Sequence, residues 1–385
     1  TEHVRYLCEH FDGFVSVLPN AGLPSIVDGH THYDLSPEDL AKYLSDFALR
    51  LGVNIVGGCC GTTPDHLKRV VDTIGNTKPL ERKVEKLYGV SSLYSFTPYV
   101  QENAYFSIGE RTNVNGSKAF REALLSNEID ECISIAQKQV NDGAHVLDVC
   151  VDYVGRNGVS DITPITKSFA TNVTVPLVFD STETDVIEAA LKCYPGKALL
   201  NSANFEDGED EKSRAFRIMK LAKRFGAGVV CLTIDESGQA REAQNKVEIA
   251  RRLVAYAREK GVIDHDLLID TLTFPLTAGS EDLRNDGQST IDAIEILSKE
   301  FPDVSLILGI SNISFGINPA GRKILNTMFL NEAMKAGLTG AIVNVAGILP
   351  LHTLSDNEKD IALRLIHNDR TSGDPLEELL ALDLS

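Results

Sequence analysis

Positive charge is in short supply in this sequence: 37 lysines and arginines stand against 55 aspartates and glutamates, a formal net charge of -18 over 385 residues. A chain this acidic offers no broad basic surface for nucleic-acid phosphates or anionic lipid, so neither nucleic acid nor membrane is the expected partner. Missing too is any apolar run of the roughly eighteen residues that a membrane helix needs. The opening TEHVRYLCEH lacks the basic-then-apolar order of a signal peptide. A soluble, cytoplasmic chain is the expectation. No initiating methionine is present, and a sequence that opens at Thr1 is expected to be a piece of something longer. Cysteine is sparse and odd in number, at Cys8, Cys59, Cys60, Cys132, Cys150, Cys193 and Cys231, which argues against a disulfide framework and for a reducing compartment. Only Cys59 and Cys60 adjoin. Neighbours one peptide link apart rarely form a relaxed disulfide, yet both thiolates can reach one soft metal. Phosphate-cradling loops are absent as well, since no GxxxxGK[ST] occurs and no GxGxxG follows a strand-like run.

What remains is a chain 43% hydrophobic and 24% charged, of a length that suits two or three globular units. Residues 1–75 read as the end of a helix (1–11), a strand running into a Pro/Gly loop (14–24), an amphipathic helix (36–51), a short buried strand (53–58) and a helix (63–74). SPED at 36–39 places an N-cap serine, a first-turn proline and an acid at the third helical position. Two strands can neither bury both faces of a parallel sheet nor close a barrel, so 1–75 reads as the tail of a domain. Residues 76–103, with Pro79, Pro98, a charged ERKVEK and a Tyr/Ser-rich piece, read as an interdomain linker.

From 104 to 370 the alternation is sustained. Apolar runs at 104–109, 144–149, 176–180, 198–201, 228–235, 267–270, 304–310 and 340–345 are separated by helical stretches such as 212–225, 243–260, 290–301 and 322–335. Eight strands, each followed by a helix, predict an α/β fold, a (β/α)8 TIM barrel whose site lies at the C-terminal ends of the strands. A doubly wound sheet remains the alternative. Residues 371–385 read as a tail. At the strand ends stand Glu110, Asp148, Asp180, Asn201, Asp235, Asp270, Asn312 and Asn344. Such a rim favours a ligand rich in hydrogen-bond donors, such as a pteridine or purine edge, although each residue taken alone could equally be a helix N-cap. In GERTNVNGS (109–117), Glu110 and Arg111 could form an ion pair and Asn113 a turn. Arg322, at the start of the helix after the seventh strand, could meet an anion or merely cap carbonyls. GGCCGTTPDH (57–66) sets two thiols after a short strand, either as zinc ligands that would make a bound substrate thiol nucleophilic or as two inert buried cysteines.

Taken together, PNAGLP (19–24), VNIVGGCCGTTPDH (53–66), GERTNVNGS, LDV, VFDST, LLNSAN, LLIDTLTFPL and GISNISFG resemble the cobalamin-dependent methionine synthase family over nearly the whole chain. The likeness is to the end of its homocysteine-binding barrel, with the last two β/α units of that truncated barrel in 1–75, and then to its pterin (methyltetrahydrofolate) barrel. Dihydropteroate synthase is the related alternative for the second barrel, but its Asn-x-Thr-Pro signature is replaced by GERTNVNG. The resemblance implies a methyltransferase that binds 5-methyltetrahydrofolate and passes the methyl to cob(I)alamin. Asp180, Asn201 and Asp270 would hold the pterin edge, with Glu110 and Asp148 shaping the pocket and Arg322 at its rim. Asn312 would act at the methyl-bearing nitrogen, and Cys59 and Cys60 would ligate zinc for homocysteine. The third zinc cysteine is expected upstream of Thr1, Cys8 being a poor substitute, and DGHTHYD (28–34), expected in a loop, has the wrong spacing for a cobalamin motif. Cobalamin is therefore expected on another domain or chain. The open alternatives are a folate-binding fragment without turnover and a stand-alone methyltetrahydrofolate:corrinoid methyltransferase.

Overall fold

The computed structural model describes residues 1–277 and 281–382. Its contacts divide into two units, Thr1–Leu87 and Tyr88–Ser385.

In the first unit, Ser36 caps the helix Pro37–Arg50 by accepting the Asp39 N–H at 3.1 Å. Leu40, Ala41, Leu44 and Phe47 on its apolar face join Val15, Val53 and Val70 in a small core. Cys8 is buried in that same core. The expected strands shrink to Ser16–Val17 and Ile55–Val56, paired in parallel. The segment expected as loop is an antiparallel hairpin, Pro24–Val27 against His30–Tyr33. Its turn is Asp28–Gly29, with φ of 50° and 79°, the Asp-Gly geometry whose twist matches two-residue hairpins.

The second unit contains a closed barrel of eight parallel strands: β1 (Phe106–Asn113), β2 (Val146–Cys150), β3 (Leu177–Asp180), β4 (Leu199–Ala203), β5 (Gly228–Leu232), β6 (Leu267–Asp270), β7 (Ser305–Gly309) and β8 (Gly340–Val343), with β8 returning to pair with β1. The expected (β/α)8 barrel is present. Both strand faces are buried, which is why the runs read as continuous apolar stretches. Ile108, Val146, Val178, Leu199, Val230, Leu268 and Ile307 fill the interior, while alternate residues such as Leu147, Phe179, Leu200, Val229 and Leu306 face the helices. Among these helices Ala243–Lys260 keeps its expected bounds and Pro319–Ala336 starts earlier, where Asn318 accepts the Gly321 N–H and Pro319 opens the first turn.

Three segments differ from their sequence reading. The stretch expected as a linker divides, with 76–87 belonging to the first unit and 88–103 to the second. Within it, Gly89–Ser91 and Phe96–Pro98 form a hairpin, and Val90 and Tyr99 join the barrel's interior cluster as its floor. Each strand is three residues long, too short for a period-2 pattern to register. The expected strand over 228–235 stops at Leu232, and Ile234–Asp235 instead pairs antiparallel with Gly238–Gln239. The expected tail contains a helix, Pro375–Ala381, capped by Asp374, with Leu379 fully buried and Glu378 paired to Arg364. No helix among the described residues is long and apolar enough to cross a membrane.

Candidate active site at the barrel mouth

The mouth is shaped first by an irregularity in β1. This strand runs past its expected end at residue 109, and its register against β2 shifts between Gly109 and Thr112. Gln139, from the helix Ile129–Asn141, stitches the irregularity: its Oε1 accepts the Arg111 N–H at 2.7 Å and its Nε2 donates to Thr112 Oγ1 at 3.2 Å. The shift delivers Asn113 to the mouth. There its Nδ2 donates to Asp148 Oδ2 at 2.8 Å and to Asp180 Oδ2 at 2.9 Å. Asn113 opens the turn expected of it, its Oδ1 accepting the Asn115 N–H at 2.9 Å, and is at the same time a bridge between two acids.

Around this bridge opens a cavity of about 670 Å³ lined by Glu110, Asp148, Asp180, Asn201, Asp270 and Asn312. Six of the eight expected rim residues are thus gathered in one place. Asp235 is elsewhere, because β5 ends early; its Oδ1 accepts the Ser237 N–H at 2.8 Å and caps the small hairpin. Asn344 and Arg322 line a neighbouring cavity of about 220 Å³. Arg322 donates from Nε to Ser314 Oγ and from an Nη to the Ser311 carbonyl, both at 3.2 Å. It therefore braces the 3₁₀ turn Ile310–Ser314 that carries Asn312. Ser311 in turn donates to Glu110 Oε1 at 3.0 Å, whereas Arg111 reaches the Gly116 carbonyl at 3.3 Å. Asn312 is exposed on that turn.

Two further residues escaped the sequence reading because only the folded loops bring them near. Asp152 accepts from Ser181 Oγ at 2.8 Å and from the Thr182 N–H at 2.7 Å, fixing the loop after β3. Arg214, on the cavity wall, donates to the carbonyls of Ser181, Thr182 and Ser202 at 2.5–2.7 Å.

The electrostatics follow from this crowding of acids. Burial, with the Asp180 charge second, pushes the Asp148 carboxyl well above the usual carboxylate range. Burial raises Asp180 to about 6 against the lowering effect of the Asn113 hydrogen bond, and raises Asp270 to about 6 against the Leu272 N–H. Glu110 is raised by burial too, the Ser311 hydroxyl pulling the other way. The Asp148 Oδ1 atom is buried without a hydrogen-bond partner among the described residues. Buried carboxyls with unused acceptor capacity suit a ligand edge that brings N–H donors and returns them to the ionised form.

In the first unit, the PNAGLP loop braces the cysteine pair. Cys59 N–H donates to the Pro19 carbonyl at 2.9 Å, Cys60 N–H to Asn20 Oδ1 at 3.2 Å, and Ala21 N–H to the Cys60 carbonyl at 2.9 Å. Both thiols are exposed, with their sulfurs 3.9 Å apart. Two thiolates on one tetrahedral zinc at ~2.3 Å each stand about 3.8 Å apart, so the pair fits such an ion. His66 is not free to join them. Its Nδ1 accepts from Thr63 N–H at 3.3 Å, and its Nε2 meets the Leu35 carbonyl at 2.8 Å. Among the described residues no group of three His, Cys, Asp or Glu could hold a metal.

Comparison with known proteins covers both units. The family model described as a pterin binding enzyme matches residues 109–344, and that of homocysteine S-methyltransferase matches 1–74. Methionine synthase of Mycobacterium tuberculosis is 48% identical over 384 residues, covering 99% of this chain and 32% of that protein. Methionine synthase of Mycobacterium leprae is 45% identical over 389 residues, again covering 99% and 32%. The chain thus spans about a third of the length of these relatives. Among solved structures, a dihydropteroate synthase from Xanthomonas albilineans is 16% identical, with a TM-score of 0.48, covering 64% of this chain and 90% of that one.

Proposed function

Because this chain belongs to the methionine synthase family, we propose that its barrel binds 5-methyltetrahydrofolate at the mouth and presents the N5-methyl group for transfer to cob(I)alamin. The observation that carries this reading is the acid-and-amide cavity at the strand ends, with Asp148 and Asp180 sharing the one Asn113 nitrogen. A reduced pterin offers an amino group and ring N–H groups along one edge. Asp148, Asp180 and Asp270 accept those donors, and Asn201 completes the edge. Their raised proton affinities fall as the donors arrive, so recognition is coupled to ionisation.

Cob(I)alamin, held by a cobalamin-binding domain or another chain, supplies the nucleophile. The task of this chain is to hold the donor and ease departure of its methyl. A methyl on a neutral tertiary amine leaves badly unless the nitrogen gains positive character, so an interaction that strengthens as N5 changes protonation lowers the barrier. We assign that interaction to Asn312, which lies on the turn after β7 and lines the cavity. Its amide can donate or accept by turning, which suits a nitrogen that changes state. Arg322 acts one step back, by bracing that turn.

In the same reading, Cys59 and Cys60 supply two of the thiolates that hold zinc for homocysteine, and the remaining ligand comes from residues outside this chain. Coordinated to zinc held by the pair, a homocysteine thiol would lose its proton and serve as a nucleophile at neutral pH. Zinc is expected to bind this chain weakly, and Cys59→Ser to abolish what binding there is; tight one-to-one zinc by metal analysis would contradict that.

Calorimetric titration of the chain with 5-methyltetrahydrofolate tests the reading, followed by addition of cob(I)alamin and its absorbance. Binding with loss of the cob(I)alamin spectrum is expected, and Asn312→Ala should slow that loss more than it weakens binding. Binding without spectral change would favour a folate-binding piece without turnover. No binding at all would sink the proposal.

A further inference from the structure

Behind Asp270 lies a lysine for which the methyl transfer has no evident use. Lys246, on the helix Ala243–Lys260, is fully buried. Its ammonium donates to the Thr271 carbonyl and, at 3.0 Å, to the Leu272 carbonyl. Thr290, on the helix Asp286–Glu300, donates its hydroxyl to the same Leu272 carbonyl at 3.1 Å. An ammonium so far from water is costly to bury unless its donors are used, and here two of the three are used on one turn of backbone.

That turn needs holding. Leu272 has a φ of 64°, a left-handed conformation that a residue with a side chain adopts only against steric resistance. What the turn achieves is visible in its next bond: the Leu272 N–H donates to Asp270 Oδ1 at 2.7 Å. One carboxylate oxygen of Asp270 is thereby fixed, and both Asp270 and Leu272 line the cavity. Burial brings the Lys246 ammonium down to about 8 while the charges of Asp270 and Asp286 hold it up. Asp286 is itself taken by Arg241, whose guanidinium lies 4.0 Å from the centre of the Phe274 ring. Lys246 is therefore the cation that answers to the strand-end turn.

We infer that Lys246 is a positioning residue for Asp270: by anchoring the Thr271 and Leu272 carbonyls it holds the left-handed turn that presents the Asp270 carboxylate to the methyl donor's pterin edge. This rests on the folate reading of the cavity. A lysine present only for its packing stem would be replaced well by methionine, and its loss would be independent of Asp270 and of the backbone at Leu272.

The test uses the whole chain and the dissociation constant for 5-methyltetrahydrofolate. Lys246→Met is expected to weaken binding by roughly tenfold or more, but by less than about twofold when made on top of Asp270→Asn, since residues acting through one another are not additive. Adding Leu272→Gly to Lys246→Met should recover most of the loss, because glycine takes a positive φ freely. Full additivity with Asp270→Asn, or binding by Lys246→Met within about twofold of wild type, would overturn the inference. Should Lys246→Met not fold, Thr290→Val removes the other donor to the Leu272 carbonyl and is judged by the same coupling to Asp270. Hydrogen exchange at the Leu272 amide, read without folate, separates this inference from the folate reading. Exchange faster by roughly tenfold in Lys246→Met supports it, and unchanged protection defeats it even where folate binds.

Discussion

Asn113 does with one nitrogen what two separate donors would otherwise be needed for: it satisfies an oxygen of each of two buried acids and holds them at a fixed separation. Hydrogen bonds to charged groups are worth about 1.5–3 kcal/mol each. Asn113→Ala should therefore weaken 5-methyltetrahydrofolate binding by roughly 10–100-fold, and a calorimetric change under about threefold would show the bridge to be dispensable. Asp270 offers a different readout. Its carboxyl rises from 3.8 to about 6 on folding, so the folded chain binds the proton more tightly than the unfolded one. The stability this confers is complete below about 3.8 and is lost as pH climbs through about 6. The neutral isostere Asp270→Asn escapes that loss. It should melt higher than wild type at pH 7.5, by the equivalent of at most about 3 kcal/mol, with the gain vanishing toward pH 4, while binding folate more weakly. A variant less stable at pH 7.5 would show that the carboxylate supports the fold.

At the scale of elements, the hairpin under the barrel makes the sharpest claim. A Cβ added at Gly228, at the start of β5, would run into the Tyr99 hydroxyl. Overpacking of this kind costs about 1–3 kcal/mol. Gly228→Ala should lower the melting temperature, and Tyr99→Phe made with it should restore much of the loss; equal melting of single and double variants would show that the floor yields elsewhere. This element also marks where sequence reading stops. The eight barrel strands were legible because each is a buried run at regular spacing, and six rim residues came with them as a consequence of strand ends sharing one mouth. The floor was not legible, because three-residue strands carry no period and Pro98 looks like a linker. Asp-Gly at 28–29 did carry a turn signal for the hairpin. Asn113 lay four residues past the apparent end of its strand, and only the register shift in β1 returns it to the mouth. Arg214, Asp152 and Lys246 act through loop carbonyls and loop donors, which no linear spacing encodes.

At the scale of the whole molecule, all eight barrel strands and the floor hairpin lie in 88–385, and the cavity is lined entirely from that unit. Residues 88–385 expressed alone should fold and bind 5-methyltetrahydrofolate within about threefold of the whole chain, since no lining residue is removed. A much larger loss by calorimetry would show that the first unit contributes to the site. The acidity of the chain gains a meaning here as well: part of the net charge of -18 resides in carboxyls gathered at the mouth, where burial raises their proton affinity.

Val90 and Tyr99 close one end of the barrel, and that turns the site into a cul-de-sac. Whatever enters goes in and comes out by the same door. On the proposed reading, the methyl donor and its acceptor would have to share that single opening.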